Sequence, residues 1–139
     1  MHLEVLYLLS GLFWTALFTA VSMLRASGAM ELLSRLCAPL FELLDIPPET
    51  APLMLIRPIS GSGALAVASE LMAAHGPDST VGRVAAVMMG STETTFYTIA
   101  VYFGSAGIVR TRHTVPAALA ADFTGFLAAA WTVRLFFGP

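Results

Sequence analysis

Apolar residues run through this chain in four long stretches, Leu3 to Leu24, Pro52 to Ala74, Ser79 to Gly104 and Pro116 to Phe137, with a shorter two-sided stretch between the first and second. A bilayer crossing takes about 20 mostly apolar residues in a helix. Four crossings are therefore expected, over residues 3–24, 52–74, 79–104 and 116–137. The first carries one charge, Glu4, at its outer edge, no Lys or Arg precedes it, and it is long for the core of a cleaved signal. We expect it to be retained as a crossing. Between Ala29 and Leu44, Glu31, Arg35, Ala38 and Glu42 recur on one stripe, with Met30, Leu33, Leu36, Leu40, Phe41 and Leu44 around the rest. This predicts an amphipathic helix along the membrane interface or beneath the bundle, kinked or split at Pro39.

The two middle stretches are each broken by small and hydroxylated residues. The first break is Arg57-Pro58-Ile59-Ser60-Gly61-Ser62-Gly63, and the second is Gly90-Ser91-Thr92-Glu93-Thr94-Thr95. Pro58 removes a backbone donor and Gly61 and Gly63 loosen the chain beyond it, so each stretch is expected to form two half-helices joined by an irregular turn. The second halves should begin at Ser62 to Ala64 and at Thr92 to Thr94. Irregular polar backbone at that depth is tolerated only where protein or a water-filled cavity covers it. His75-Gly76-Pro77-Asp78-Ser79 reads as a tight loop in which Asp78 or Ser79 caps the next helix. The expected architecture is an all-α membrane protein, one domain over residues 1–139, with two of its four crossings discontinuous.

Composition agrees. The chain is 57% apolar and 12% charged, with a mean hydropathy of +0.79. That leaves too little polar surface for a soluble globule of this length. A net charge of -2 and the absence of lysine argue against nucleic acid. The single cysteine, Cys37, forms no intrachain disulfide or thiolate metal cage. Arg25, Arg35, Arg110 and Arg112 fall on one side of the expected topology, Arg83 and Arg134 on the other. The balance favours outside termini.

The candidate chemistry lies at the breaks. Arg57 and Glu93 stand one on each broken stretch, and a charge there is costly unless paired or wet. One reading is a structural salt bridge between them. The other is a polar pocket lined by Ser60, Gly61, Ser62, Ser91, Thr92, Glu93, Thr94 and Thr95 beside Arg57, with two helix N-termini aimed at an anionic or hydroxyl-rich solute. Two further candidates are Glu70, which could extend the pocket or pair with Arg83, and Asp122, about one turn into the last crossing and near headgroup level. Ala118, Ala121, Gly125 and Ala129 form a small-residue packing face. Met88 and Met89 point in different directions on a helix and read as core rather than soft-metal ligands. Trp14, Trp131, Tyr97 and Tyr102 are ordinary bundle or interface aromatics. Ser60 or Ser62 with His75 and Asp78 is the one serine-histidine-acid set, but about three turns of helix separate its members, too far for a nucleophile and its base. No catalytic residue, metal site or cofactor motif is expected.

Five segments together, Arg25-Ala26-Ser27-Gly28-Ala29, Arg57-Pro58-Ile59-Ser60-Gly61, His75-Gly76-Pro77-Asp78-Ser79, Gly90-Ser91-Thr92-Glu93-Thr94-Thr95 and Tyr102-Phe103-Gly104, resemble the spore maturation protein B family. That family lies within the nucleoside-recognition or gate-domain group, which is similar to segments of concentrative nucleoside transporters and of the ferrous iron transport protein B. The resemblance covers roughly residues 23 to 137; family members usually carry a further N-terminal segment. It implies a multi-pass protein of the bacterial inner membrane, often beside a sister gate protein, with the broken segments as its recognition element. The positions matching the family's motifs are Arg57, Ser60, Gly61, Ser91, Thr92, Glu93 and Thr95. Four crossings, two of them broken, can hardly surround a polar path, so a homo-oligomer or a sister membrane protein is expected as partner, besides membrane lipid. The expected function is binding and passage of a small polar solute without covalent chemistry. The alternative is a non-transporting scaffold whose intramembrane polar groups satisfy one another.

Overall fold

In this computed structural model the described residues are Gly11, Leu12, Thr15, Ala16, Thr19, Ala20, Ser22, Met23 and Ala26 to Gly138. The crossing expected over residues 3–24, with Glu4 and Trp14, lies outside them apart from isolated positions, as does Arg25. The described residues are helical throughout, with no strand among them.

Helix α1 spans Ala29–Leu43 and runs unbroken through Pro39. A proline removes one hydrogen bond from a helix, and α1 is anchored on either side of it by the buried Met30 and Phe41. Its surface has three sectors rather than two. Met30 and Phe41 face the core, Glu31, Arg35 and Glu42 are exposed, and Leu32, Leu36, Leu40 and Leu43 are exposed as well. The exposed leucines recur every three or four residues and so share one face.

A tight turn with Asp45 at φ 60° leads into a 3-10 turn, Pro48–Thr50, and helix α2, Ala51–Ile56. Prolines at the start of both elements cost no hydrogen bond, because the first N–H groups of a helix lack intrahelical partners anyway. Helix α3 spans Gly61–His75, α4 Thr80–Ser91, α5 Thr95–Ser105 and α6 Thr114–Phe137. Ser79 caps α4, its Oγ accepting from the Gly82 N–H at 3.0 Å. The core gathers Ala64, Val67 and Ala68 of α3, Val84, Ala85 and Met88 of α4, and Phe126, Ala130 and Val133 of α6 around Ile46 and Leu53. Met88 is fully buried, in keeping with a packing role.

The far end of α6 is pinned to the turn after α1. The Trp131 indole donates to the Leu44 carbonyl at 3.1 Å, and Arg134 pairs with Asp45 at 2.5 Å. Of the small-residue face, Gly125 and Ala129 pack inward, Ala118 is half-buried and Ala121 is exposed.

Among the described residues one helix, Thr114–Phe137, is long and apolar enough to cross a membrane. Residues 52–74 and 79–104 form helices of 6, 15, 12 and 11 residues, none passing alone. The interruptions are four residues in the first stretch, Arg57 to Ser60, and three in the second, Thr92 to Thr94.

Glycine tolerance tests this packing. A Cβ on Gly82 would lie 2.3 Å from the Gly76 carbonyl oxygen and 3.0 Å from Pro77 Cα, both backbone, whereas one on Gly90 would meet open space. Gly82→Ala should lower stability by about 2 kcal/mol through forced backbone movement. Gly90→Ala should raise it by roughly 0.5 kcal/mol through helix propensity. Thermal unfolding of both variants in detergent checks the contrast.

Candidate functional site

The interruption between α4 and α5 creates a chemical problem. A helix ends with carbonyls that have no intrahelical donor, and the next begins with N–H groups that have no acceptor. In apolar surroundings each group left unpaired costs several kcal/mol. Partners from neighbouring segments meet this need.

At the end of α4 the acceptors are met by Arg57. Its Nη2 donates to the Met89 carbonyl at 2.9 Å and to the Thr92 carbonyl, and its Nε donates to Thr92 Oγ1 at 3.2 Å. Thr92 Oγ1 in turn donates to the Met88 carbonyl at 3.0 Å, and Ser91 Oγ donates to the same oxygen at 3.3 Å. The guanidinium is buried, 5% exposed, at the helix end where the backbone dipoles leave partial negative charge. Its planar fork suits two carbonyls and a hydroxyl at once.

At the start of α5 the signs reverse. The Phe96 N–H donates to the Pro58 carbonyl at 3.0 Å, so the first interruption caps the helix after the second. Thr95 Oγ1 donates to Asp122 Oδ2, which brings a buried carboxylate from α6 to the positive end of α5. Glu93 Oε2 accepts from the Thr94 N–H at 3.2 Å, while its side chain remains exposed. Within the first interruption, Ser60 caps α3 by accepting from the Gly63 N–H at 3.0 Å, and its Oγ lies 3.5 Å from that of Ser62.

Two glycines, Gly61 at the start of α3 and Gly125 within α6, let their helices close on the second interruption. A Cβ on Gly61 would lie 2.8 Å from Thr94 Oγ1, and one on Gly125 would lie 2.9 Å from Thr92 Cγ2. Arg57, Ser60, Gly61, Ser62, Thr92, Thr94 and Thr95 are thus drawn into one junction with Asp122. Ser91 and Glu93 sit at its exposed edge.

Several expectations need correction. Arg57 does not pair with Glu93; the lock between the segments runs from Arg57 to main-chain carbonyls of α4. Helices α3 and α5 begin at Gly61 and Thr95 rather than at 62–64 and 92–94. Their first donors are taken up by Ser60 and Pro58. Glu70 lies elsewhere, lining a cavity of about 280 Å³ with Glu31, Arg35, Glu49 and His75. Arg83 pairs with Asp78 at 3.6 Å and stacks over the Phe137 ring, 4.3 Å from its centroid. Asp122 is buried about two turns into α6, not one. In keeping with expectation, His75 lies at the far end of α3 from its cap Ser60, about 22 Å along the helix and out of reach of that serine. Neither the Pro58 carbonyl nor the α4 carbonyls could be named from residue types, since every residue carries one. The available signal was a helix end at Gly90 and Ser91 with a lone arginine on a neighbouring segment.

The Gate family profile, described as nucleoside recognition, matches residues 8–109. This chain belongs to the Gate family. Over 122 residues, 88% of this chain and 68% of the relative, it is 44% identical to Spore maturation protein B of Bacillus subtilis (strain 168). No solved structure matches. The resemblance carried by the five segments is therefore confirmed. Gate-family membership and the apolar helix Thr114–Phe137 both point to a membrane protein.

The two charged residues of the junction should behave differently on substitution. Arg57→Lys replaces the fork by a point donor and strands buried acceptors, at a cost of about 2 kcal/mol. Glu93→Gln keeps the bond to Thr94 at an exposed position and should change stability by less than about 0.5 kcal/mol. Denaturant unfolding in detergent separates them; equal sensitivity would contradict this geometry.

Proposed function

We propose that this Gate-family protein is a small multi-pass protein of the bacterial inner membrane that binds and passes a polar solute where its two interrupted helical segments meet. In this reading α2 with α3, and α4 with α5, each form one discontinuous crossing. Interrupted helices that meet within a membrane are a recurring basis of solute sites. The observation that carries the reading is Glu93, a carboxylate left exposed at the meeting point of two apolar segments, where lipid alone would not accommodate it. Ser91 shares the same exposed edge. An exposed polar edge in a bundle this small calls for water and for a second wall. A further copy of this chain, or a sister gate protein, would supply that wall. Arg57, Ser60, Gly61, Ser62, Thr92, Thr94 and Thr95 would shape the site behind Glu93. The family's description makes nucleosides the first solutes to try.

A second reading has its own support. The buried polar groups of the junction bond to one another and to main chain, as a spore-maturation scaffold without transport would require.

Uptake of labelled nucleosides into vesicles containing the purified chain distinguishes the two. On the transport reading, Glu93→Gln should reduce uptake by about tenfold or more, a loss of some 1.4 kcal/mol or above in the limiting step, while the protein stays folded. Uptake unchanged by the substitution would set the transport reading aside.

A further inference from the structure

Beside the junction, between α1, α2, α5 and α6, lies a second cavity of about 370 Å³. Its wall is apolar and aromatic, with Phe41, Met54, Phe96, Phe123 and Phe126, and Asp122 is its one charged residue. The volume falls in the range of small-molecule sites, which are mostly apolar with a few convergent polar groups.

Asp122 is about nine-tenths buried, yet it pairs with no cation; its bond is to the Thr95 hydroxyl. Arg57, the buried cation of the junction, is committed to the α4 carbonyls. The start of α5 and the hydroxyl supply partial positive charge, not a full one. A carboxylate so placed is costly unless something else neutralises it. A metal ion would need several oxygen or nitrogen ligands, and this wall offers a single carboxylate. An ammonium on an apolar body needs only one anion, buries the rest of its surface, and gains further from aromatic faces around the cation.

We propose that this cavity binds a small apolar organic ammonium, its cation against Asp122 and its body among the phenylalanines. Of its lining residues Leu55, Ile59, Phe96, Leu119 and Phe123 are exposed, so the cavity opens on an apolar surface of the protein. The site is separate from the exposed edge at Glu93 and does not depend on whether a solute passes there.

The test uses the full chain in detergent, with cyclohexylmethylammonium and its neutral counterpart cyclohexylmethanol as probes. Affinity is read from the concentration dependence of the unfolding midpoint. The ammonium should bind about tenfold more tightly than the alcohol, the gain expected of a hydrogen bond to a charged group. In Asp122→Asn the preference should shrink to within about twofold, with alcohol binding retained. Leu119→Trp narrows the mouth while leaving the carboxylate in place, and should weaken both probes. Equal affinity for the two probes in the unmodified protein would overturn the proposal in favour of a neutral acyl-chain groove. So would absence of binding, a preference that survives Asp122→Asn, or undiminished binding in Leu119→Trp.

Discussion

Arg57 reaching the carbonyls at the end of α4 is the contact on which the remainder of the structure depends. Stopping a helix among apolar side chains strands carbonyls on one side of the gap and amides on the other. A lone arginine in the same surroundings is equally unfavourable. Each answers the other's need, because the guanidinium lies where the helix dipole leaves negative charge and its fork fits the freed oxygens. Across the gap Asp122 mirrors the arrangement at the positive end of α5, and the Pro58 carbonyl takes the Phe96 amide. The first interruption therefore supplies the caps that the second lacks, while Ser60 caps α3 from within the first.

That arrangement separates two kinds of polar residue at the junction. Arg57, Ser60, Thr92 and Thr95 have partners that the fold requires, so replacing them disturbs architecture before it disturbs any ligand. Glu93 differs, because its side chain remains exposed although one oxygen accepts from the next residue's amide. The leucine face of α1, and Trp131, Leu135, Phe136 and Phe137 of α6, are exposed apolar surface of a kind that marks interaction with lipid or protein. Ser91 and Glu93 thus form a polar edge close to these apolar surfaces.

Much of this was legible in the sequence, for identifiable reasons. Proline, glycine and clustered hydroxyls inside apolar stretches mark helix ends by local chemistry alone, and both interruptions fall within the segments so marked. Ser79 as a cap and Thr114–Phe137 as the long apolar helix, close to the expected 116–137, arise from equally local rules. The pairing was not legible. Arg57 and Glu93 looked like partners because their charges are opposite, but the acceptors Arg57 uses are main-chain atoms that no residue type reveals. Glu70, offered as an extension of the pocket or a partner for Arg83, lines the cavity with Glu31 and Arg35, and Asp122 lies about two turns rather than one into α6 because that helix starts at Thr114, ahead of Pro116. Pro39 was expected to kink or split α1; the helix is not split, and it is buried on both sides of the proline at Met30 and Phe41.

Access of water to position 93 within a lipid bilayer tests the central claim most directly. A cysteine replacing Glu93, in a Cys37→Ala background, can be exposed in reconstituted vesicles to a charged, water-soluble thiosulfonate and compared with a cysteine replacing Phe123 on the apolar surface. Rapid modification at 93 with none at 123 is the expected result. A cysteine at 93 that stays inert in vesicles yet reacts in detergent would place that edge against lipid and contradict the account.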